Sequence, residues 1–189
     1  MRRVRLQPHP LHLVVVVALA LVAAGCSSER GGSPTTTGAT TTAAAGESAI
    51  VASVGDGDSL RTTSGKKVRL LQIDAPELHG DCFGKAALSA LRQLTPKGTP
   101  ITLVRDPALD QTDRYGRQLR YVIVHGTNVN VALVRGGNAS PYFFRKERGR
   151  YAKELLAAVE KARAEKLGYW GACPRAKLNT GLGSVTGPG

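Results

Sequence analysis

From Ala49 onward the apolar residues of this chain change period several times within about 140 residues, as short strands interleaved with helices require, rather than holding the single period of a bundle or solenoid. Residues 50–54 read as a first strand. Residues 59–63 and 67–73 flank Ser64-Gly65, a pair suited to a hairpin turn. Residues 101–105 are rich in β-branched side chains and lie between Pro100 and Pro107, and residues 119–124 run into a further turn at His125-Gly126. That makes about five strands.

Helical spacing interrupts them. Leu88, Leu91 and Leu94 place a helix over residues 85–94, stopped by Pro96-Lys97-Gly98. Residues 129–135 form a short helix closed by Gly136-Gly137. The longest helix is expected over residues 146–167, where Tyr151, Leu155, Val159 and Ala162 share one face and Lys153, Glu154, Glu160 and Lys161 lie away from it; Gly168 ends it. The fold class expected is mainly β plus α, a five-stranded barrel of the oligonucleotide-binding (OB) kind with three helices. The domain is expected over residues 49–174, with residues 175–189 a disordered tail and the whole a monomer.

What precedes the domain has little to pack. Arg2, Arg3 and Arg5 lead into an apolar run over residues 11–22, too short for a confident membrane span, and then into Ala23-Ala24-Gly25 before Cys26. Residues 1–25 therefore read as an export signal. The small-residue triplet before a cysteine resembles the bacterial lipobox, which implies that Cys26 is lipidated, becomes the mature N-terminus and holds the protein on the outer face of the cell membrane. A plain cleaved signal with an incidental cysteine, or an uncleaved anchor, are the alternatives. Residues 26–48 then form a tether almost entirely of Ser, Thr, Gly and Ala with an r.m.s. reach of roughly 25 Å. With Cys26 lipidated, Cys82 and Cys173 remain, in a compartment where disulfides persist, and they are expected to pair. The bridge would close a loop of about 90 residues, for which chain entropy gives roughly 4 to 5 kcal/mol as an upper figure. Metal binding by these two thiols is the alternative, against which stands the absence of any CxxC spacing.

The formal charge is +12, of which the leader arginines supply three. Such an excess favours a polyanionic partner, either nucleic acid or an anionic envelope surface, and does not choose between them.

Three local contexts concentrate acids and arginines: Gly55-Asp56-Gly57-Asp58-Ser59; Arg69-Leu70-Leu71-Gln72-Ile73-Asp74-Ala75-Pro76-Glu77; and Asp113-Arg114-Tyr115-Gly116-Arg117. Taken singly, each also fits a plain role as a turn, a strand end or a solvated loop. Taken together, in this order and spacing, they resemble the staphylococcal nuclease (thermonuclease) family over residues 50–170, including the segments 129–134 and 166–170. The resemblance implies a calcium-dependent endonuclease acting on DNA and RNA with little sequence preference and leaving 3′-phosphates. It puts Asp58, Asp74 and the backbone carbonyl of Ala75 at the metal, Glu77 at the position of the proposed general base, and Arg69 and Arg117 at the substrate phosphate. Tyr115, and with it Arg114, then lies beside the bound nucleotide, and Tyr142 aligns with a substrate-side tyrosine, although burial in the core fits Tyr142, Phe143 and Phe144 equally. Asp56 fits either an acid near the metal or a cap on its own turn, and Asp113 fits a residue that shapes the loop presenting Arg117.

The residue types suit that chemistry on their own terms. A phosphodiester gains negative charge as a nucleophile adds, so a hard cation on oxygen ligands stabilises the transition state. Arginine's planar fork donates two parallel hydrogen bonds and never loses its charge. A nearby carboxylate can accept or orient the proton of the attacking water. Two other readings account for part of the sequence: a barrel of the same fold that binds nucleic acid without cutting it, as an envelope lipoprotein, and an envelope protein whose charge binds anionic wall polymers.

Overall fold

The computed structural model describes residues 46–188. The export signal, Cys26 and the tether up to residue 45 lie outside the described residues. Among those described, ten strands and four α-helices follow one another, beginning with β1 at Glu47–Asp56, longer at both ends than the strand foreseen over residues 50–54.

β1 is long enough to serve two neighbours. Its first half pairs antiparallel with β5 (Pro100–Val104), and its second half pairs with β2 (Ser59–Thr62). Register shifts between Val51 and Ser53 and between Val54 and Asp56 bend the strand between those partners, as bulges do. β2 pairs with β3 (Lys67–Leu70), and β5 with β6 (Gln118–Val124), all antiparallel. β3 and β6 then run side by side in parallel, which closes the order β3-β2-β1-β5-β6 on itself as a five-stranded mixed barrel. Closure of this kind removes the exposed edges that an open sheet would carry. The short β7 (Thr127–Asn128) extends β6 as a hairpin.

The core joins the barrel to its helices. Val51, Val68, Leu70, Leu103 and Val122 from the strands share one buried cluster with Ala87 and Leu91 of α1 (Gly84–Leu94), Leu133 and Val134 of α2 (Val129–Arg135), and Leu155 and Val159 of α3 (Ala152–Ala164). Each of these valines and leucines contributes roughly 1.5 to 3 kcal/mol by leaving water. Cys82 and Cys173 form a disulfide, tying the loop before α1 to the end of the one-turn α4 (Tyr169–Ala172). No helix among the described residues is long and apolar enough to cross a membrane.

Three expectations are corrected. The strand foreseen over residues 67–73 stops at Leu70. Gln72 turns to a φ of 59°, buried, with its amide donating to the Glu147 carbonyl at 2.9 Å and its side-chain oxygen accepting from the Gly149 N–H at 2.9 Å. A non-glycine residue keeps such a backbone only where its surroundings hold it. The chain beyond this kink, β4 (Ile73–Asp74), pairs with β8 (Ser140–Pro141) in a separate two-stranded sheet.

The longest helix begins at Ala152, not at residue 146. Phe144–Lys146 forms a 3₁₀ turn, after which the Gly149 N–H goes to Gln72 and the Arg150 N–H to Oδ2 of Asp106 at 2.8 Å. A helix started at residue 146 would need the residue 150 N–H for its own first turn. Gly149 lies so close to Asp106 that an added Cβ would stand 2.4 Å from Oδ2.

Finally, the segment after Pro174 is not a disordered tail. β9 (Lys177–Asn179) and β10 (Gly183–Val185) pair as a hairpin. Thr180 accepts from the Phe143 N–H at 2.7 Å and Gly187 from the Cys82 N–H at 2.9 Å, while Thr186 is 2% exposed. These partners are remote in sequence, so local composition gave no sign of them.

Candidate active site

Asp58 sits in the tight turn between β1 and β2, where Asp56 pairs with Ser59. Gly57 lets that turn pack closely, because a Cβ there would meet Ala75 at 2.6 Å and Ala87 at 3.0 Å. Oδ1 of Asp56 accepts the Gly57 N–H at 2.8 Å, the turn-capping role. Asp58 is buried, and its Oδ2 accepts the Ala75 N–H at 2.9 Å.

Arg69 projects from β3 into the same space. Its Nη1 stands 2.8 Å from Oδ2 of Asp58 and donates to the Ile73 carbonyl at 2.9 Å, while its Nη2 donates to Oδ1 of Asp74 at 2.7 Å. One guanidinium thus bridges two carboxylates, one from the β1–β2 turn and one from β4, that are brought together by the kink at Gln72. Burial pushes the Asp58 carboxyl up to about 6, against the downward pull of Arg69 and of the Ala75 N–H, with Asp74 and Asp56 adding to the rise. Glu77 is exposed on the loop after β4, and Asp81 holds its N–H at 2.9 Å. Partial desolvation, then the negative charges of Asp56, Asp58 and Asp74, raise its carboxyl above the usual range.

Two carboxyls therefore flank one guanidinium, with the charges of Asp56 and Glu77 felt nearby, and a cation would relieve the excess negative charge. Among the described residues no three His, Cys, Asp or Glu stand close enough to hold an ion together. The oxygens of Asp58 and Asp74, with the carbonyl of Ala75, are hard donors of the kind that suit Ca²⁺ or Mg²⁺, and an ion placed on them competes with Arg69 for the same carboxylates. The donor chemistry fits a hard cation.

A groove of about 600 Å³ opens beside this cluster. One wall is the loop before β6: Oδ1 of Asp113 accepts the N–H groups of Tyr115 and Arg117 at 2.9 Å each, and Oδ2 accepts Nε of Arg117 at 2.6 Å. Tyr115 is 62% exposed, with the guanidinium carbons of Arg114 and Arg117 at 4.8 and 5.4 Å from its ring centre. The facing wall carries Tyr142, Phe144 and Arg145. Phe143 is buried, Tyr142 half-buried and Phe144 exposed, so the three aromatics divide between core and groove.

Of the residues singled out in the sequence, Asp58, Arg69, Asp74 and Ala75 meet directly and Glu77 couples to them through charge. Arg114, Tyr115, Arg117 and Tyr142 line the groove instead. Arg69 belongs to both groups. Gln72, Gly84 and Ser184 were not foreseen. Gly84 packs so tightly that a Cβ would stand 1.9 Å from the Glu77 carbonyl oxygen, and its place as a glycine at the start of a helical pattern is the signal that could have found it.

Known proteins give this geometry a context. Thermonuclease of Staphylococcus intermedius is 30% identical over 134 residues, covering 66% of this chain and 77% of that protein. Endonuclease YncB of Bacillus subtilis (strain 168) is 31% identical over 123 residues, covering 61% of this chain and 57% of that protein. Endonuclease YhcR of the same organism is 33% identical over 137 residues, covering 64% of this chain and 11% of that protein. The chain thus spans little more than half of YncB and a small part of YhcR. Residues 67–172 match the sequence model described as Staphylococcal nuclease homologue, and with the closed barrel and the clustered acids and arginines they establish that the chain belongs to the staphylococcal nuclease family.

Proposed function

We propose that this chain is an endonuclease that hydrolyses phosphodiester bonds of DNA and RNA with little sequence specificity, depends on calcium and leaves 3′-phosphate ends. The observation that carries the reading is the Arg69 bridge between Asp58 and Asp74 at the end of a groove walled by arginines and exposed aromatic rings. Asp58, Asp74 and the Ala75 carbonyl would hold calcium, which when bound supplies electrostatic stabilisation to the charged phosphate. Arg117, steered by Asp113, donates to phosphate oxygens from the groove side, and Arg69 donates from the acid side. Glu77, whose raised carboxyl accepts a proton more readily, takes or orients the proton of the attacking water. Tyr115 and Tyr142 offer ring faces to the flanking bases, and stacking tolerates any sequence.

Export and lipid attachment belong to the same proposal, supported by the arginine-led apolar leader and by the small residues before Cys26. In that setting a lipidated Cys26 anchors the nuclease outside the membrane, and a Cys26→Ser variant would no longer incorporate labelled palmitate.

The test of activity incubates the full chain with single-stranded DNA and with RNA, in calcium or in chelator, beside Asp58→Ala. Cleavage that needs both calcium and Asp58, with products that resist polymerase extension until phosphatase treatment, is expected. Equal degradation in every sample, or none in any, would remove the reading.

A further inference from the structure

Ser184 lies beyond the segment that matches the family, in the hairpin of β9 and β10. Its backbone N–H and its hydroxyl both donate to Oδ2 of Asp74, at 2.9 and 3.0 Å. Oδ1 of the same carboxylate receives Arg69 at 2.7 Å. A carboxylate oxygen offers two lone-pair sites, so Oδ2 is filled and Oδ1 keeps one site open. The carboxylate cannot rotate without breaking both bonds to Ser184.

Gly183 closes the remaining space. It is buried at a φ of 87°, and an added Cβ would stand 2.4 Å from Oδ2 of Asp74. The hairpin is held in place independently of Asp74. It starts beside Cys173, is gripped by Phe143 through Thr180, and returns to the disulfide where Gly187 accepts from the N–H of Cys82. The C-terminal segment is therefore a strap, fastened near both ends, that crosses the site at one carboxylate.

We propose that Ser184 is a positioning residue for Asp74: it ties Oδ2 to the hairpin so that Oδ1 is the oxygen presented to a bound cation. The inference rests on the reading of Asp74 as a calcium ligand. Groups that orient a metal ligand typically change metal affinity ten- to a hundredfold when removed. Ser184→Ala removes one donor of two, which sets the expected loss at about tenfold.

The experiment titrates calcium alone into the full chain by calorimetry, without nucleic acid. Wild type, Ser184→Ala, Ser184→Thr, Gly183→Val and Asp74→Ala are compared, with thermal unfolding of each as the check on folding. Ser184→Ala is expected to weaken binding about tenfold. Ser184→Thr, which keeps the hydroxyl, should stay near wild type. Gly183→Val, which pushes the strap off the carboxylate, should weaken binding at least as much as Ser184→Ala. Calcium binding by Ser184→Ala and Gly183→Val that is as tight as wild type, or tighter, overturns the proposal and makes the strap a mere cover. Equal binding by wild type and Asp74→Ala instead sinks the assignment of Asp74 as a ligand, and the positioning role with it.

Discussion

Asp113 is one side chain that sets the aim of another. It is not a candidate ligand, yet its two oxygens hold the backbone of Tyr115 and both the backbone and the Nε of Arg117. Burial pushes its carboxyl up, but those donors and the Arg117 charge outweigh burial and leave it below its ordinary 3.8. A carboxyl lowered by folding adds stability that is fully present above its unfolded pKa and is lost as pH falls through the lower, folded value. The loop should therefore keep its order from neutral pH down to about 4 and loosen only with further acidification. The Arg117 Nε–H resonance followed by NMR against pH measures this, and a transition above pH 5 would contradict it. Arg117 itself was legible only through the resemblance that the three acid-and-arginine segments carry together, because its own segment also fits a solvated loop. That Asp113 steers it was legible too, since an acid beside a turn glycine readily hydrogen-bonds its own loop.

The elements divide along a similar line. α1 and α2 follow their apolar spacing and glycine stops closely, and the β2–β3 hairpin follows Ser64-Gly65, because those signals are local. The kink at Gln72, the late start of α3 and the strap were illegible because each depends on a side chain or carbonyl far along the chain: Glu147 and Gly149 for Gln72, Asp106 for Arg150, Phe143 and Cys82 for the strap. Asn130 on α2 is a further link of that kind. Fully buried, it accepts from the Val122 N–H at 3.0 Å and donates to the Leu71 carbonyl at 2.8 Å, so it couples β6 to the residue just before the kink. Asn130→Ala strands two buried backbone groups and should lower the unfolding free energy by about 2 kcal/mol. Denaturant titration measures it, and a loss under about 0.5 kcal/mol would show that the link carries little.

At the scale of the whole molecule, the barrel serves as a frame that holds an acidic pocket and a basic groove side by side, with Arg69 common to both. The net charge of +12 was plain from composition, but only the fold brings Arg114, Arg117 and Arg145 to one groove. Binding there should depend on salt. For single-stranded DNA bound to an Asp58→Ala chain, log K should fall linearly with log salt, and Arg145→Ala should reduce the slope by about 0.7. An unchanged slope would place the nucleic acid elsewhere. The central claim is that the two halves form one catalytic unit, and the most direct measurement is kcat/KM on a defined oligonucleotide for Asp58→Ala, Arg117→Ala and the double variant, each corrected for the protein-free rate. Side chains that act together give non-additive losses, so the double variant should be scarcely slower than the worse single variant. Losses that multiply in the double variant would mean that Asp58 and Arg117 work independently, and would contradict a shared site.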